Sequence, residues 1–304
     1  MNPYEADPEK VPATDLYADV PFYGRYHPKP DDFRINPQHS NSSTPASLKY
    51  WASVLELCTA ENRIYPADEG GRDVFALGSI IIKSSHLHEH EYPGSHEIDF
   101  SYADANEASA ILQATAILTN VKVPSIWFYG KINGRQVLVQ ERLSGVALNV
   151  AWPYLSSPQR EAFKAQARSI LHQLSTIKPS EKQAIRSHVV PDPNLLSNGR
   201  INPLEGEILV SGTNDDPDLC LMHNDFTKSN IIVDNDKIVG VIDWEMAGFL
   251  GWKTAAEIHR RIRTPQRESF LNANLSEEVL QDMMYWNDLY DENEPDDGPT
   301  NKGL

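Results

Sequence analysis

The stretch His223-Asn224-Asp225-Phe226-Thr227-Lys228-Ser229-Asn230, followed by Asp243-Trp244-Glu245, constrains this chain more than any other. Apolar runs frame it: Leu219-Cys220-Leu221-Met222, Ile231-Ile232-Val233 and Ile238-Val239-Gly240-Val241-Ile242, with the turn pair Asn235-Asp236 between the last two. That order reads as strand, polar loop, strand, tight turn, strand. Asp225 and Asn230 then sit at opposite ends of one loop, and Asp243 leaves the end of the third strand. A hairpin returns that strand end to the loop, so three oxygen-bearing side chains converge. Such hard ligands, with no Cys or His clustered beside them, suit Mg²⁺ better than zinc.

This is a kit for moving a phosphoryl group. Asp225 can orient a hydroxyl and accept its proton, while Asn230 and Asp243 can hold the Mg²⁺ ions that neutralise a triphosphate. The plain alternative is a polar turn in an ordinary sheet. An H-x-D-x-x-x-x-N match alone would leave that open; Ile-Asp-Trp-Glu at the right distance, with strands in place, argues against it.

His223 to Asn230 with Ile242 to Glu245 resembles the catalytic core of the aminoglycoside phosphotransferase and choline kinase group, the small-molecule branch of the protein-kinase-like fold. Protein kinases carry His-Arg-Asp and Asp-Phe-Gly at these places; His-Asn-Asp and Asp-Trp-Glu stand closer to the small-molecule branch. Met222 to Gly248 as a whole resembles fungal members of that branch. The resemblance implies an α+β, bilobal protein-kinase-like fold with a small β-rich N-lobe and a larger, mainly helical C-lobe. It also implies that Asp225 is the catalytic base, Asn230 and Asp243 the metal ligands, and His223 a structural support of the loop.

Such a fold needs a lysine on a buried strand and a glutamate on a helix that pairs with it. Val74-Phe75-Ala76-Leu77, Gly78-Ser79 and Ile80-Ile81-Ile82-Lys83 read as a hairpin ending in a lysine. A lysine closing three isoleucines is either a strand-end marker or a buried ammonium with a partner. Asp104 to Leu118 reads as a helix with Glu107, Ile111 and Leu118 on one face. Lys83 and Glu107 are therefore assigned as the phosphate lysine and its partner. Gly134 punctuates a following hairpin, and Gln140, Glu141, Arg142 and Leu143 fall where related kinases bind the adenine edge. No G-x-G-x-x-G string is present; Gly70-Gly71 is the only phosphate-loop candidate, and paired glycines mark turns in general. No G-x-x-x-x-G-K-[ST] is present either, which removes that unrelated nucleotide-binding class.

A net charge of −16 argues against nucleic acid or anionic membrane as partners and is compatible with a cationic acceptor. No run of eighteen apolar residues exists, the first residues lack a secretory pattern, and Cys58 and Cys220 are too few for a disulfide framework. A cytoplasmic address is expected. The expected divisions are a partly irregular extension over 1–45, a nucleotide-binding lobe over 46–143, a catalytic and substrate-binding lobe over 144–290 and an acidic, fraying tail over 291–304. A helix is expected from near Ser47 through Cys58, and another capped by Ser157 and carrying Phe163, Ala167, Ile170, Leu171 and Leu174 on one face. Pro191 to Asp218 reads as loop, rich in acids, and Asp288 to Leu304 as a fraying end. His86, His88, His90 and His96 read as a linker rather than a metal site, and Trp244 and Trp252 as packing under the catalytic loop.

The sequence therefore predicts an ATP- and Mg²⁺-dependent kinase, with GTP as the other nucleotide, acting on a hydroxyl of a small molecule. The rivals are a kinase-shaped binding module without catalysis and a protein kinase. Intact Lys83, Glu107, Asp225, Asn230 and Asp243 count against the first. The short segment after Asp243, with no Ala-Pro-Glu, counts against the second.

Overall fold

β-Branched and aromatic residues crowd the region before residue 142, and they assemble there into a five-stranded antiparallel sheet. The computed structural model describes residues 23–65, 71–87, 98–180, 186–197, 200–211, 216 and 218–291. It opens with a short strand β1 (Arg25–Tyr26) and helix α1 (Pro45–Leu55). Pro45 sits at the first helical position, and Thr44 Oγ1 accepts from the Ser47 N–H, so two start signals coincide. Then come β2 (Arg63–Tyr65), β3 (Asp73–Leu77), β4 (Ile80–Ser84), α2 (Ser101–Thr115), β5 (Ile126–Ile132) and β6 (Arg135–Glu141). The sheet order is β2-β3-β4-β6-β5.

Alternation along β4 decides what each face does. Ile80 and Ile82 enter a core with Phe75, Val137, Val139 and the α1 residues Trp51, Val54 and Leu55. Trp51 stacks on Phe128 with ring centroids 5.5 Å apart. Ile81 and Lys83 face the other way, into a cavity. The sheet thus spends one face on packing and offers the other for chemistry.

Beyond it lie β7 (Gly145–Ala147), α3 (Leu148–Ala151), α4 (Ser157–Ser175), β8 (Ser187–His188), α5 (Pro203–Val210), β9 (Leu221–Met222), β10 (Ile231–Asp234), β11 (Lys237–Val241), β12 (Gly248–Phe249), α6 (Trp252–Ile258) and α7 (Glu277–Met284). Two small sheets, β1-β7-β10-β11 and β8-β12-β9, rest on this helical part. Phe163, Ala167, Ile170, Leu171 and Leu174 of α4 are all buried in its core, as the 3.6-residue spacing predicts. The mixed α+β class, strand-rich first and helical later, is the one expected.

Several local readings need correction. Helix α2 begins at Ser101 rather than Asp104 and ends at Thr115, leaving Leu118 buried just past it. The α4 cap is Ser156, not Ser157: its N–H and Oγ both donate to Gln159 Oε1, at 3.0 and 2.8 Å. The stretch read as loop from Pro191 to Asp218 contains α5, marked by Asn202 as cap and Pro203 at the first position. The end of the described chain does not fray at Asp288: Leu289 and Tyr290 are buried, and Arg168 donates to the Asp288 and Leu289 carbonyls. Trp252 packs away from the catalytic loop, stacked on His172 at 4.6 Å and donating to the Tyr290 carbonyl. His86 Nε2 meets the Cys58 carbonyl at 2.7 Å; Gly70, His88, His90, His96, residues 1–22 and 292–304 lie outside the described residues.

Among the described residues, no helix is long and apolar enough to cross a membrane. Phe75 is fully buried between the sheet and α1. Phe75→Ala is expected to cost about 3–5 kcal/mol in chemical denaturation, the range for an emptied aromatic site.

Candidate active site

Lys83 is carried by β4 opposite Val74 on one side and Leu138 on the other, so its height along the sheet is fixed by two ladders. Only 8% of it is exposed. Its Nζ donates to Glu107 Oε2 at 3.0 Å and to Asp243 Oδ1 at 2.8 Å, and lies 4.0 Å from Glu245 Oε2. Burial pulls the ammonium down, but Asp243 and Glu107 outweigh it and hold Lys83 well above its ordinary range. The second Glu107 oxygen accepts from the Trp244 N–H at 3.4 Å. Burial raises Glu107, which has no water contact, while Lys83 pulls Asp243 down despite its own burial. The charge of the trio is therefore concentrated on Asp243, whose side chain keeps 34% of its surface open.

The loop between β9 and β10 is tied to the end of β11 by its backbone and by one histidine. The Ile242 N–H donates to the Asn230 carbonyl at 2.9 Å. His223 Nε2 donates to the Ile242 carbonyl at 3.0 Å, and His223 Nδ1 accepts from the Asp225 N–H at 3.3 Å. One donating and one accepting nitrogen define a neutral imidazole, and burial pushes His223 down to about 4. His223 also packs edge-on against Trp244, with centroids 4.6 Å apart, which bears out Trp244 as packing under the loop. The turn itself is made by Asn224 and Asp243, both in the left-handed region with φ of 62° and 65°. Non-glycine residues hold that conformation only where their surroundings fix it.

Asn230 Nδ2 donates to Asp225 Oδ2 at 2.9 Å and to the Asp225 carbonyl at 3.0 Å. Asp225 Oδ1 lies 3.4 Å from Arg263 Nε. Burial raises Asp225 to about 7, against the opposing pull of Arg263. Its side chain still has 24% of its surface exposed, so the carboxylate is both perturbed and reachable.

A cavity of about 530 Å³ joins these groups. Lys83, Asp225, Asn230 and Asp243 line it, together with Gln140 and Glu141 at the end of β6 and Arg142 and Leu143 just after it. Glu107 and His223 stand behind them, and neither lines the cavity. Lys83, Glu107, residues 140–143, His223, Asp225, Asn230 and Asp243 thus line one cleft or bond to residues that do, whereas Gly71 does not line it.

Other residues at the cleft carry no sequence signal. Arg72, at the foot of β3, donates to Asp104 Oδ1 at 2.6 Å and to Glu245 Oε2 at 3.3 Å. Gln136 Nε2 satisfies the other Asp104 oxygen at 2.8 Å. Asn106 Nδ2 donates to the Glu245 and Ala247 carbonyls, both at 2.9 Å, which docks α2 on the turn after Asp243. Arg263 Nη2 grips both Glu205 oxygens at 2.7 Å, and Glu205 Oε1 also accepts from Asn224 Nδ2 at 2.9 Å. These partners lie 19 to 173 residues apart in the chain, so no local spacing announces them. Glu245 alone had a clue, as the third residue of Asp-Trp-Glu.

The donor set fits a hard divalent cation. One oxygen each from Glu107, Asp243 and Glu245 lie within 4.8 Å of one another, facing the Lys83 ammonium and the Arg72 guanidinium.

Residues 101–250, just under half the chain, match the model of the phosphotransferase enzyme family, APH. That region spans Glu107, the loop from His223 to Asn230, and Asp243; Lys83 precedes it. No curated protein matches the chain. Among solved structures, the streptomycin–ATP–APH(2")-IIa ternary complex is similar at 12% identity over 84% of each chain, with a TM-score of 0.45. APH(3'')-Id from Streptomyces rimosus is similar at 16% identity over 75% of this chain and 86% of that one, with a TM-score of 0.42. Macrolide 2'-phosphotransferase MphH from Brachybacterium faecium is similar at 14% identity over 81% and 90%, with a TM-score of 0.41.

The raised Asp225 carboxyl gives this site a pH signature. Its ordinary value is 3.8 and its folded value about 7. Between the two, the folded chain holds a proton that the unfolded chain has released. The stability tied to that proton is present below the ordinary value and is lost as pH rises through about 7. Asp225→Asn keeps the shape without the charge. Its melting temperature is expected to exceed that of the wild type at pH 8, with the gap shrinking toward pH 5; equal melting at pH 8 would contradict the assigned environment.

Proposed function

We propose that the protein is an ATP- and Mg²⁺-dependent phosphotransferase that moves the γ-phosphoryl group to a hydroxyl of a small molecule. One observation carries this reading: Lys83, Asp225, Asn230, Asp243 and residues 140–143 converge on a single cavity of about 530 Å³. The base lies along residues 140–143 and the α- and β-phosphates meet Lys83, which Glu107 holds in place. Asp243 and Asn230 would hold Mg²⁺, with Glu245 beside them. The cation supplies charge neutralisation on the triphosphate oxygens.

Asp225 is the catalytic base. Its carboxylate accepts the proton of the acceptor hydroxyl as the hydroxyl oxygen bonds to the γ-phosphorus and the bond to ADP breaks. A value near 7 suits that task, since about half of such a base is deprotonated at neutral pH and it is still basic enough to take a proton. Asn230 and Arg263 grip one Asp225 oxygen each and hold its orientation. His223 stays neutral and structural.

A small acceptor is favoured over a protein. Asp243 is followed by a single turn at Trp244–Met246, and α6 begins at Trp252. That length leaves no extended platform for docking a peptide. The acidic balance of the chain is compatible with a cationic acceptor. A cytoplasmic enzyme is the expectation that goes with this reading.

The test is nucleotide consumption across a panel of hydroxylated metabolites, with Asp225→Asn as the blank. A panel member that drives wild-type turnover is expected to lose on the order of 10²–10⁴ in kcat in the variant. Wild-type rates in that variant would remove Asp225 from its role. Asp243→Asn is expected to abolish the rise in melting temperature that Mg²⁺ with ATP gives the wild type.

A further inference from the structure

Residues 23–33 lie outside the family-matched region, yet the first four of them form part of the cavity wall. Tyr23, Gly24, Arg25 and Tyr26 line the same space as Lys83 and residues 140–143. Strand β1 pairs antiparallel with β7, Arg25 opposite Val146 and Tyr26 opposite Gly145. The Ala147 N–H donates to the Gly24 carbonyl at 2.7 Å. Asn149 Nδ2 donates to the Tyr23 hydroxyl at 3.0 Å. Arg142, from the candidate base-binding strand, donates to the Arg25 carbonyl at 3.2 Å and lies 4.4 Å over the Tyr26 ring.

The other end of this segment is fastened to the five-stranded sheet. Ser79, in the turn between β3 and β4, donates to the Phe33 carbonyl through its N–H at 3.0 Å and its hydroxyl at 2.8 Å. Between the two anchors, Tyr26 donates its hydroxyl to Asp32 Oδ2 at 2.9 Å, and the same oxygen accepts the Lys29 N–H at 2.7 Å. The segment is a strap that runs from β7 to the β3–β4 turn, past the strand between the two halves.

Each anchor depends on a glycine. Gly24 has φ +66°, and a Cβ there would come within 2.5 Å of Val150 Cγ2. Gly78 has φ +52°, and its Cβ would fall 2.3 Å from the Phe33 backbone nitrogen. Backbone approach this close needs a residue without a side chain. Both contacts are built, and both serve to hold residues 23–33 against the cleft.

We infer that the strap Tyr23–Tyr26 is a nucleoside-binding wall, contacting the ribose and base of the nucleotide rather than its phosphates. This rests on the reading of the cavity as a nucleotide site. The phosphate end is set by Lys83 and Asp243, which the strap does not touch. β1 instead flanks Gly145, directly beyond residues 140–143, where the nucleoside half of the ligand would lie. Tyr23 offers a partly exposed ring and Arg25 a guanidinium, both suited to a sugar and a flat base, while Tyr26, its hydroxyl on Asp32 and its ring under Arg142, shapes the wall.

Two full-length variants test it: Tyr23→Ala, which removes a partly exposed ring from the wall, and Gly78→Ala, which pushes the far anchor off Phe33. Mg²⁺–ADP and free adenosine are titrated separately by calorimetry, and folding is checked by the melting transition. Both ligands are expected to bind about tenfold more weakly to either variant, by the same factor, as loss of an aromatic contact to a base predicts. If Gly78→Ala fails to fold, Tyr23→Ala decides. A folded Tyr23→Ala that binds both ligands as the wild type does overturns the wall, as does a loss seen with Mg²⁺–ADP but not with adenosine. Wild-type protein that binds neither ligand overturns the nucleotide reading itself, and the wall with it.

Discussion

An ammonium as far from water as that of Lys83 persists only where carboxylates meet it. Two come from other parts of the chain, Glu107 on α2 and Asp243 after β11, and a third, Glu245, stands 4.0 Å away. One side chain therefore fixes three elements that have no covalent reason to be neighbours. The pairing is weak evidence for stability, because desolvating the charges offsets much of their attraction. Its value is positional: with Lys83 removed, three carboxylates would face one another and α2 would lose one of its ties to the turn after β11. Arg72 repeats the arrangement one step away, holding Asp104 on α2 and Glu245 on the same turn.

The same electrostatics divides the acids of the cleft by task. Asp243 is pulled down by Lys83 and kept open to the cavity, which suits a ligand for a cation. Asp225, nearby but gripped only by Asn230 and the more distant Arg263 Nε, is pushed up to about 7 by burial, which suits a base. Arg263 spends its stronger contacts on Glu205, so it orients Asp225 without neutralising it. Two carboxylates with opposite shifts in one cleft are the physical core of the proposed chemistry.

Much of this was legible before any coordinates, for identifiable reasons. Asp225, Asn230 and Asp243 sit at fixed offsets between short apolar runs bounded by turn residues. Glu107 shares a helical face with Ile111, so its burial followed from periodicity. Glu205 with Arg263, and Arg72 with Asp104, left no trace, because pairing between distant segments has no period. Helix α5 was missed although Asn202 and Pro203 mark its start, since eight residues with acids scattered among apolar ones show no clear face. Residues 23–33 have neither period nor motif; their place along the cleft comes from two backbone approaches at Gly24 and Gly78, which only three dimensions display.

The central claim is that Lys83 makes the cleft a site for a charged triphosphate. Calorimetric titration of Mg²⁺–ATP into the wild type and into a folded Lys83→Met variant tests it most directly. The account predicts saturable binding to the wild type and, in the variant, a loss of tenfold or more, since a charge-assisted phosphate contact is worth at least about 1.5 kcal/mol. Equal affinity in the two proteins, or no binding to the wild type, would contradict it.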